Sequence, residues 1–94
     1  MNKYETIVIS DPNLSEDDLK KLIERFEKLI NADGKVEETK YLGKRKLAYS
    51  VKKNDEAYYN KILFEGKPEL ISELERNYRI TDEVLKFMTL RVDA

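Results

Sequence analysis

The fourteen positions from Lys40 to Lys53 (Lys-Tyr-Leu-Gly-Lys-Arg-Lys-Leu-Ala-Tyr-Ser-Val-Lys-Lys) hold six cations, Lys40, Lys44, Arg45, Lys46, Lys52 and Lys53, and no carboxylate. A third of the chain's 18 basic residues is concentrated there, although the net charge of the whole is only -1. Such a cluster binds anions, and tyrosines interleaved with cations suit a nucleic-acid backbone. Lysines on a solvated strand edge, where they discourage edge-to-edge pairing, account for the same residues without any ligand. Leu47, Tyr49 and Val51 alternate with Lys46, Ala48, Ser50 and Lys52, the period of a strand with one apolar and one polar face. Gly43 interrupts that pattern just before the basic triplet, where a bulge or bend would re-aim the side chains.

No catalytic constellation accompanies the cluster. The chain has no cysteine and no histidine, which removes thiol nucleophiles, thiolate metal sites, the commonest general base and the commonest metal ligand. Its serines, Ser10, Ser15, Ser50 and Ser72, therefore have no imidazole to activate them. Gly34, Gly43 and Gly66 are isolated, so no phosphate-cradling glycine loop exists. Asp11-Pro12-Asn13 would repel an anion at the place where an arginine-bearing phosphate loop would follow a first strand. The carboxylates fall on helix faces, where solvation explains them. Neither an enzyme, a metal site nor a cofactor is expected.

Ninety-four residues make one small domain, 1–94, with a single core. No apolar run approaches the roughly 20 residues of a membrane span, and the start lacks the apolar stretch of a signal peptide. A cytoplasmic protein, monomeric when free, is the expectation.

Tyr4 to Ser10 is rich in β-branched and aromatic residues and should form the first strand. Its faces, Tyr4, Thr6, Val8 and Ser10 against Glu5, Ile7 and Ile9, are both partly apolar, which suits a central strand. A turn at Asp11-Pro12-Asn13 leads to Ser15, an N-cap with Asp18 at the third helical position, and Leu14 and Leu19 are placed as a hydrophobic staple. Leu19, Leu22, Ile23, Phe26, Leu29 and Ile30 make one helical stripe. That helix should end near Asn31, with Gly34 as a left-handed stop or a turn. A second strand runs from Val36 into the basic stretch, Asn54-Asp55-Glu56 reads as a polar turn, and Ala57 to Glu65 returns antiparallel. Tyr58, Asn60, Ile62 and Phe64 take one face of this third strand, Tyr59, Lys61 and Leu63 the other. Pro68 opens a second helix with a stripe of Leu70, Ile71, Leu74 and Tyr78, ending near Asn77. Val84 to Val92 is the last strand, with Phe87 and Thr89 opposed to Met88 and Leu90.

The order βαββαβ with right-handed crossovers gives an α+β ferredoxin-like fold, a four-stranded antiparallel sheet with two helices on one face. Apolar residues on both faces of the central and last strands suggest that a partner uses the open face; scattered surface apolar side chains are the plainer account. The aromatic octamer of the common RNA-recognition motif is absent from the third strand. Tyr59 suits stacking on a base or on a partner side chain, or simple packing.

Gly43-Lys44-Arg45-Lys46-Leu47-Ala48-Tyr49-Ser50-Val51-Lys52 resembles the signature of the bacterial small-subunit ribosomal protein six family. Tyr4-Glu5 with Pro12-Asn13, and Tyr78-Arg79-Ile80 followed by Asp82, Val84 and Lys86, look like other parts of that family, and the resemblance covers nearly the whole chain. It implies a structural constituent of the small ribosomal subunit that binds central-domain ribosomal RNA together with small-subunit ribosomal protein eighteen. Carried over by position, the RNA contacts are Lys3, Arg45, Lys46, Arg79 and Lys86, with Lys44, Lys52, Lys53 and Arg91 added from charge. Tyr59 and Leu63 are the candidate partner-protein surface. The other reading, from a different class, is a protein–protein interaction or small-ligand module, natural or designed, that works through the open sheet face.

Arg45 and Lys46 are adjacent on a strand, so their side chains should leave opposite faces. Both reach one RNA surface only if the backbone bends near Gly43 or the ribbon projects clear of the core.

Overall fold

The Ser15 hydroxyl accepts a hydrogen bond from the Asp18 amide (3.1 Å), satisfying one of the donors left over at a helix start, and the 18-residue helix α1 (Glu16–Asp33) follows it. Leu19, Leu22, Ile23, Phe26 and Ile30 of its stripe are buried, with Leu29 at the core margin. In the computed structural model, which describes residues 2–92, α1 and α2 (Pro68–Arg79) lie on one face of an antiparallel sheet. The strands are β1 (Asn2–Ser10), β2 (Lys35–Val51), β3 (Asn54–Gly66) and β4 (Val84–Arg91), in the spatial order β2-β3-β1-β4. This is the ferredoxin-like α+β arrangement expected from the sequence, with β1 central.

Register assigns the faces that alternation alone left open. Directly opposed residues share a face. Across the helix-covered side run the rows Thr39–Ile62–Thr6–Thr89 and Tyr41–Asn60–Val8–Phe87; across the open side run Gly43–Tyr59–Ile9–Lys86, Lys40–Lys61–Ile7–Met88 and Glu38–Leu63–Glu5–Leu90. Tyr4, Thr6, Val8 and Ser10 are accordingly buried, and Glu5, Ile7 and Ile9 only partly. Leu70, Leu74 and Tyr78 from α2 complete the core, with Ile71 at its edge. The Phe26 and Tyr78 rings meet edge to face at 4.6 Å, joining the two helices. The Tyr78 hydroxyl is hydrogen-bonded to Thr6 Oγ1 (3.1 Å), which also bonds Thr89 Oγ1 (3.0 Å), so this buried phenol is satisfied by the sheet.

Three local expectations are corrected. Gly34 is extended (φ −155°, ψ −153°) and not left-handed. Its reason is space: a Cβ there would lie 2.2 Å from the Glu65 carbonyl oxygen of the facing strand. The hairpin turn is Lys52-Lys53, not Asn54-Asp55-Glu56, and β3 begins at Asn54, not Ala57. Val51 pairs with Asn54, leaving both lysines left-handed (φ 49° and 67°), because a turn of that hand matches the twist of the strands. The Asn54 side-chain amide donates to the Lys52 carbonyl (3.1 Å), fixing the turn from the strand side. Third, Leu47 to Ser50 do not continue an alternating ladder. Lys46 pairs with Glu56 and Val51 with Asn54, so four residues of β2 bulge opposite the single residue Asp55. Tyr49, placed by alternation on the apolar face, is 84% exposed on that bulge. By contrast, Gly43 is the irregularity foreseen: the register shifts between Tyr41 and Gly43, with φ +82° at the glycine.

Candidate nucleic-acid interface

The sheet's registers collect most of the predicted cations at one end. Ser10, Tyr58 and Val84 close the sheet on the hairpin side, and Lys44 is opposite Tyr58. Lys44, Arg45, Lys46, Lys52 and Lys53 lie on the β2–β3 arm there. Lys86 follows two residues after Val84, and Arg79 at the α2 terminus carries its guanidinium 5.6 Å from the Phe87 ring centre. The Lys52 ammonium reaches the Val84 carbonyl (3.5 Å), tying the arm's turn to the start of β4. Lys3 and Arg91 sit at the far end, where Tyr4 pairs with Arg91 and Lys3 with Glu65. Lys3 is also engaged there by Glu37 (3.7 Å) and Glu65 (3.9 Å). The structure thus brings seven of the nine predicted cations to one end and leaves Lys3 and Arg91 away from them.

Within the arm the cations divide between faces. Lys44 and Lys46, opposite Tyr58 and Glu56, are on the helix-covered side; Arg45, opposite Ala57, is on the open side. The Gly43 bulge precedes all three and leaves their relative sense unchanged. All three are exposed, so the ribbon offers cations on both faces. Lys44 holds its ammonium 5.2 Å from the Tyr58 ring centre, and Arg45 Nε donates to the Leu42 carbonyl (3.3 Å), which braces the side chain close to the backbone. A shallow cavity of about 410 Å³ is lined by Lys44, Lys46 and Lys53 together with Pro12, Asn13, Asp55 and Glu56. Asp55 accepts from the Ser50 hydroxyl (2.7 Å) within the arm. Three cations to two carboxylates leave this hollow a positive balance.

Carboxylates of α1 approach β2 on its other flank. Beside the β2 edge, Thr39 Oγ1 donates to Glu27 (2.5 Å). Burial first, and then the charges of Glu27 and Glu24, raise the Tyr41 phenol above its usual pKa.

Tyr59 and Leu63, the predicted partner surface, are both on the open face and half-buried. Ile7 and Ile9 lie beside them, and Met88 and Leu90 are each 49% exposed. The sequence reading did not name these four as part of the surface; the signal was their alternation, which pairing register alone could assign to a face. The Lys61–Glu5 ion pair (3.0 Å) crosses this face and neutralises its centre. Among the described residues, no group of three or more His, Cys, Asp or Glu side chains is arranged to hold a metal ion, and no helix is long and apolar enough to cross a membrane.

These features define a class: a ferredoxin-like protein with a basic hairpin arm and an open, partly apolar sheet face. Residues 3–91 match the family model described as Ribosomal protein S6. A small ribosomal subunit protein bS6 of Caldanaerobacter subterraneus is 45% identical over 94 residues, covering 99% of both chains, and one from Clostridium novyi is 46% identical over 91 residues, covering 96% of both. The crystal structure of 30S ribosomal protein S6 from Thermotoga maritima superposes with a TM-score of 0.92 at 35% identity, covering 97% of this chain and 87% of that one. An Arabidopsis thaliana protein (TM-score 0.58, 14% identity) shares the fold alone. The chain belongs to the ribosomal protein S6 family, whose members are structural proteins of the small ribosomal subunit and not enzymes.

Proposed function

We propose that this chain binds central-domain small-subunit ribosomal RNA through its basic arm, as one domain that is monomeric when free and works in the cytoplasm. Small-subunit ribosomal protein eighteen joins it on the open sheet face, around Tyr59 and Leu63. The observation that carries the RNA reading is the gathering of Lys44, Arg45, Lys46, Lys52, Lys53, Arg79 and Lys86 at one end of a molecule whose net charge is -1. Lys3 and Arg91 would meet RNA only if it extended along the whole sheet. Arg45 is the stronger single contact of the triplet, because a planar fork grips two phosphate oxygens.

The test is binding of a central-domain RNA fragment across a salt series, with and without the partner protein. Each phosphate neutralised lowers log affinity by about 0.7–0.9 per log unit of salt. Arg45→Ala and Lys46→Ala should each weaken binding and flatten that slope by roughly one contact, while stability changes by less than about 0.5 kcal/mol. A slope near zero for the parent protein favours the interaction-module reading. Full affinity in the double variant places the RNA site elsewhere.

A further inference from the structure

The bulge Leu47–Ser50 has an outcome that charge does not explain. Four consecutive residues of β2 face one residue of β3, and the one large ring among them, Tyr49, is 84% exposed. Had β2 kept its register, the alternation that half-buries Leu47 and Val51 would have turned Tyr49 toward the same side. The displaced segment is anchored at its ends: Lys46 and Val51 remain paired, and the Ser50 hydroxyl donates to Asp55 (2.7 Å). A tyrosine buries 150–250 Å² when it finds a surface, so an isolated ring held out in water on an anchored bulge is the most incompletely used apolar group in the arm. Lys46, Lys52 and Lys53 lie within four residues of it, with no carboxylate between them.

We infer that Tyr49 is a stacking platform for an unpaired RNA base, with the flanking lysines holding the phosphates on either side of that nucleotide. The inference rests on the RNA reading above and adds the type of nucleotide taken. An aromatic face accepts any base, and only an unpaired one can present its own face, so the site selects a loop or bulged nucleotide over duplex. A protein surface is the poorer occupant: the cations beside the ring match phosphates, whereas the exposed apolar side chains gather on the sheet, around Ile9, Met88 and Leu90.

Stacking and charge separate by experiment. With a central-domain ribosomal RNA fragment as probe, Tyr49→Ala should weaken binding about 5- to 150-fold, the equivalent of roughly 1–3 kcal/mol per stacked base, with the salt slope unchanged. Tyr49→Phe should bind like the parent. Lys46→Ala should flatten the slope. In a series of fragments with one abasic position each, one unpaired position should reproduce the Tyr49→Ala loss, and the variant should add nothing to it. Parent-like binding by Tyr49→Ala, with Lys46→Ala still impaired, overturns the stacking role and leaves the basic arm standing. So does a series in which no single abasic position reproduces the loss. A parent protein that fails to bind the fragment overturns the RNA reading and the platform with it.

Discussion

Tyr78 is the most deeply buried tyrosine of the core, and its position makes a pH-dependent stability testable. Burial, with a smaller push from Glu75 and against the opposing pull of the Thr6 hydrogen bond, raises its pKa well above the ordinary tyrosine value near 10. The unfolded chain releases that proton as pH passes 10, whereas the folded chain retains it. Stability is therefore complete below pH 10 and falls above it, by about 1.4 kcal/mol per pH unit for this group. Tyr78→Phe should remove that component of the alkaline slope, at a cost of about 1 kcal/mol near neutrality for the lost hydrogen bond. Urea unfolding at pH 7 and at several values above 10 reads both; an unaltered alkaline slope in the variant would mean that other groups produce it. Phe26, against the same ring and 1% exposed, is the packing counterpart. Phe26→Ala should lose about 3–5 kcal/mol, a large share of the roughly 5–15 kcal/mol available to a small protein, and a loss below about 1 kcal/mol would contradict the helix register.

The element boundaries show what pattern carries and what it does not. Both helices, the four strands and the Gly43 bulge were legible, since cap residues, the 3.6-residue stripe and the two-residue alternation are local signals. The turn was not, because Asn54-Asp55-Glu56 has the better turn composition and only pairing shows that Asn54 belongs to β3. The Leu47–Ser50 bulge was missed for the same reason: alternation is read within a strand, whereas a bulge is a relation between two. The candidate cations were legible as types, but their division into seven at one end and two at the other required the registers. Two glycines illustrate the limit. Gly34→Ala meets the Glu65 carbonyl oxygen at 2.2 Å and should cost about 1–3 kcal/mol through displaced backbone, although its φ suits any residue. Gly43→Ala meets nothing within 4 Å and should cost about 1–2 kcal/mol through its φ of +82° alone. Adding Lys53→Gly should regain about 0.5–1 kcal/mol by relieving a left-handed lysine. Thermal unfolding of the three variants distinguishes crowding from backbone strain.

Over the whole molecule, a near-zero net charge conceals an uneven distribution of charge and apolar surface. The arm is basic and exposed on both sides, Glu24 and Glu27 of α1 act on Tyr41 at the β2 edge, and the open sheet face is partly apolar with Lys61 and Glu5 paired on it. Long-range attraction of a polyanion therefore acts at one end, while a protein can cover the sheet without displacing it. Lys46 leaves the helix-covered side of the ribbon and Leu63 the open side of the sheet, two pairing rows from Tyr59. If RNA and partner protein use separate surfaces, Lys46→Ala should weaken RNA binding and leave the affinity for small-subunit ribosomal protein eighteen unchanged. Leu63→Ala should do the reverse, with a loss on the order of 1–2 kcal/mol for a half-buried apolar anchor. In the three-component assembly the two losses should add to within about 0.5 kcal/mol, as independent sites do. Titration calorimetry of the four proteins in the cycle measures this directly. A coupling energy above about 1 kcal/mol would mean that RNA and partner share one continuous surface, and that the partner seats itself on the arm as well as on the sheet.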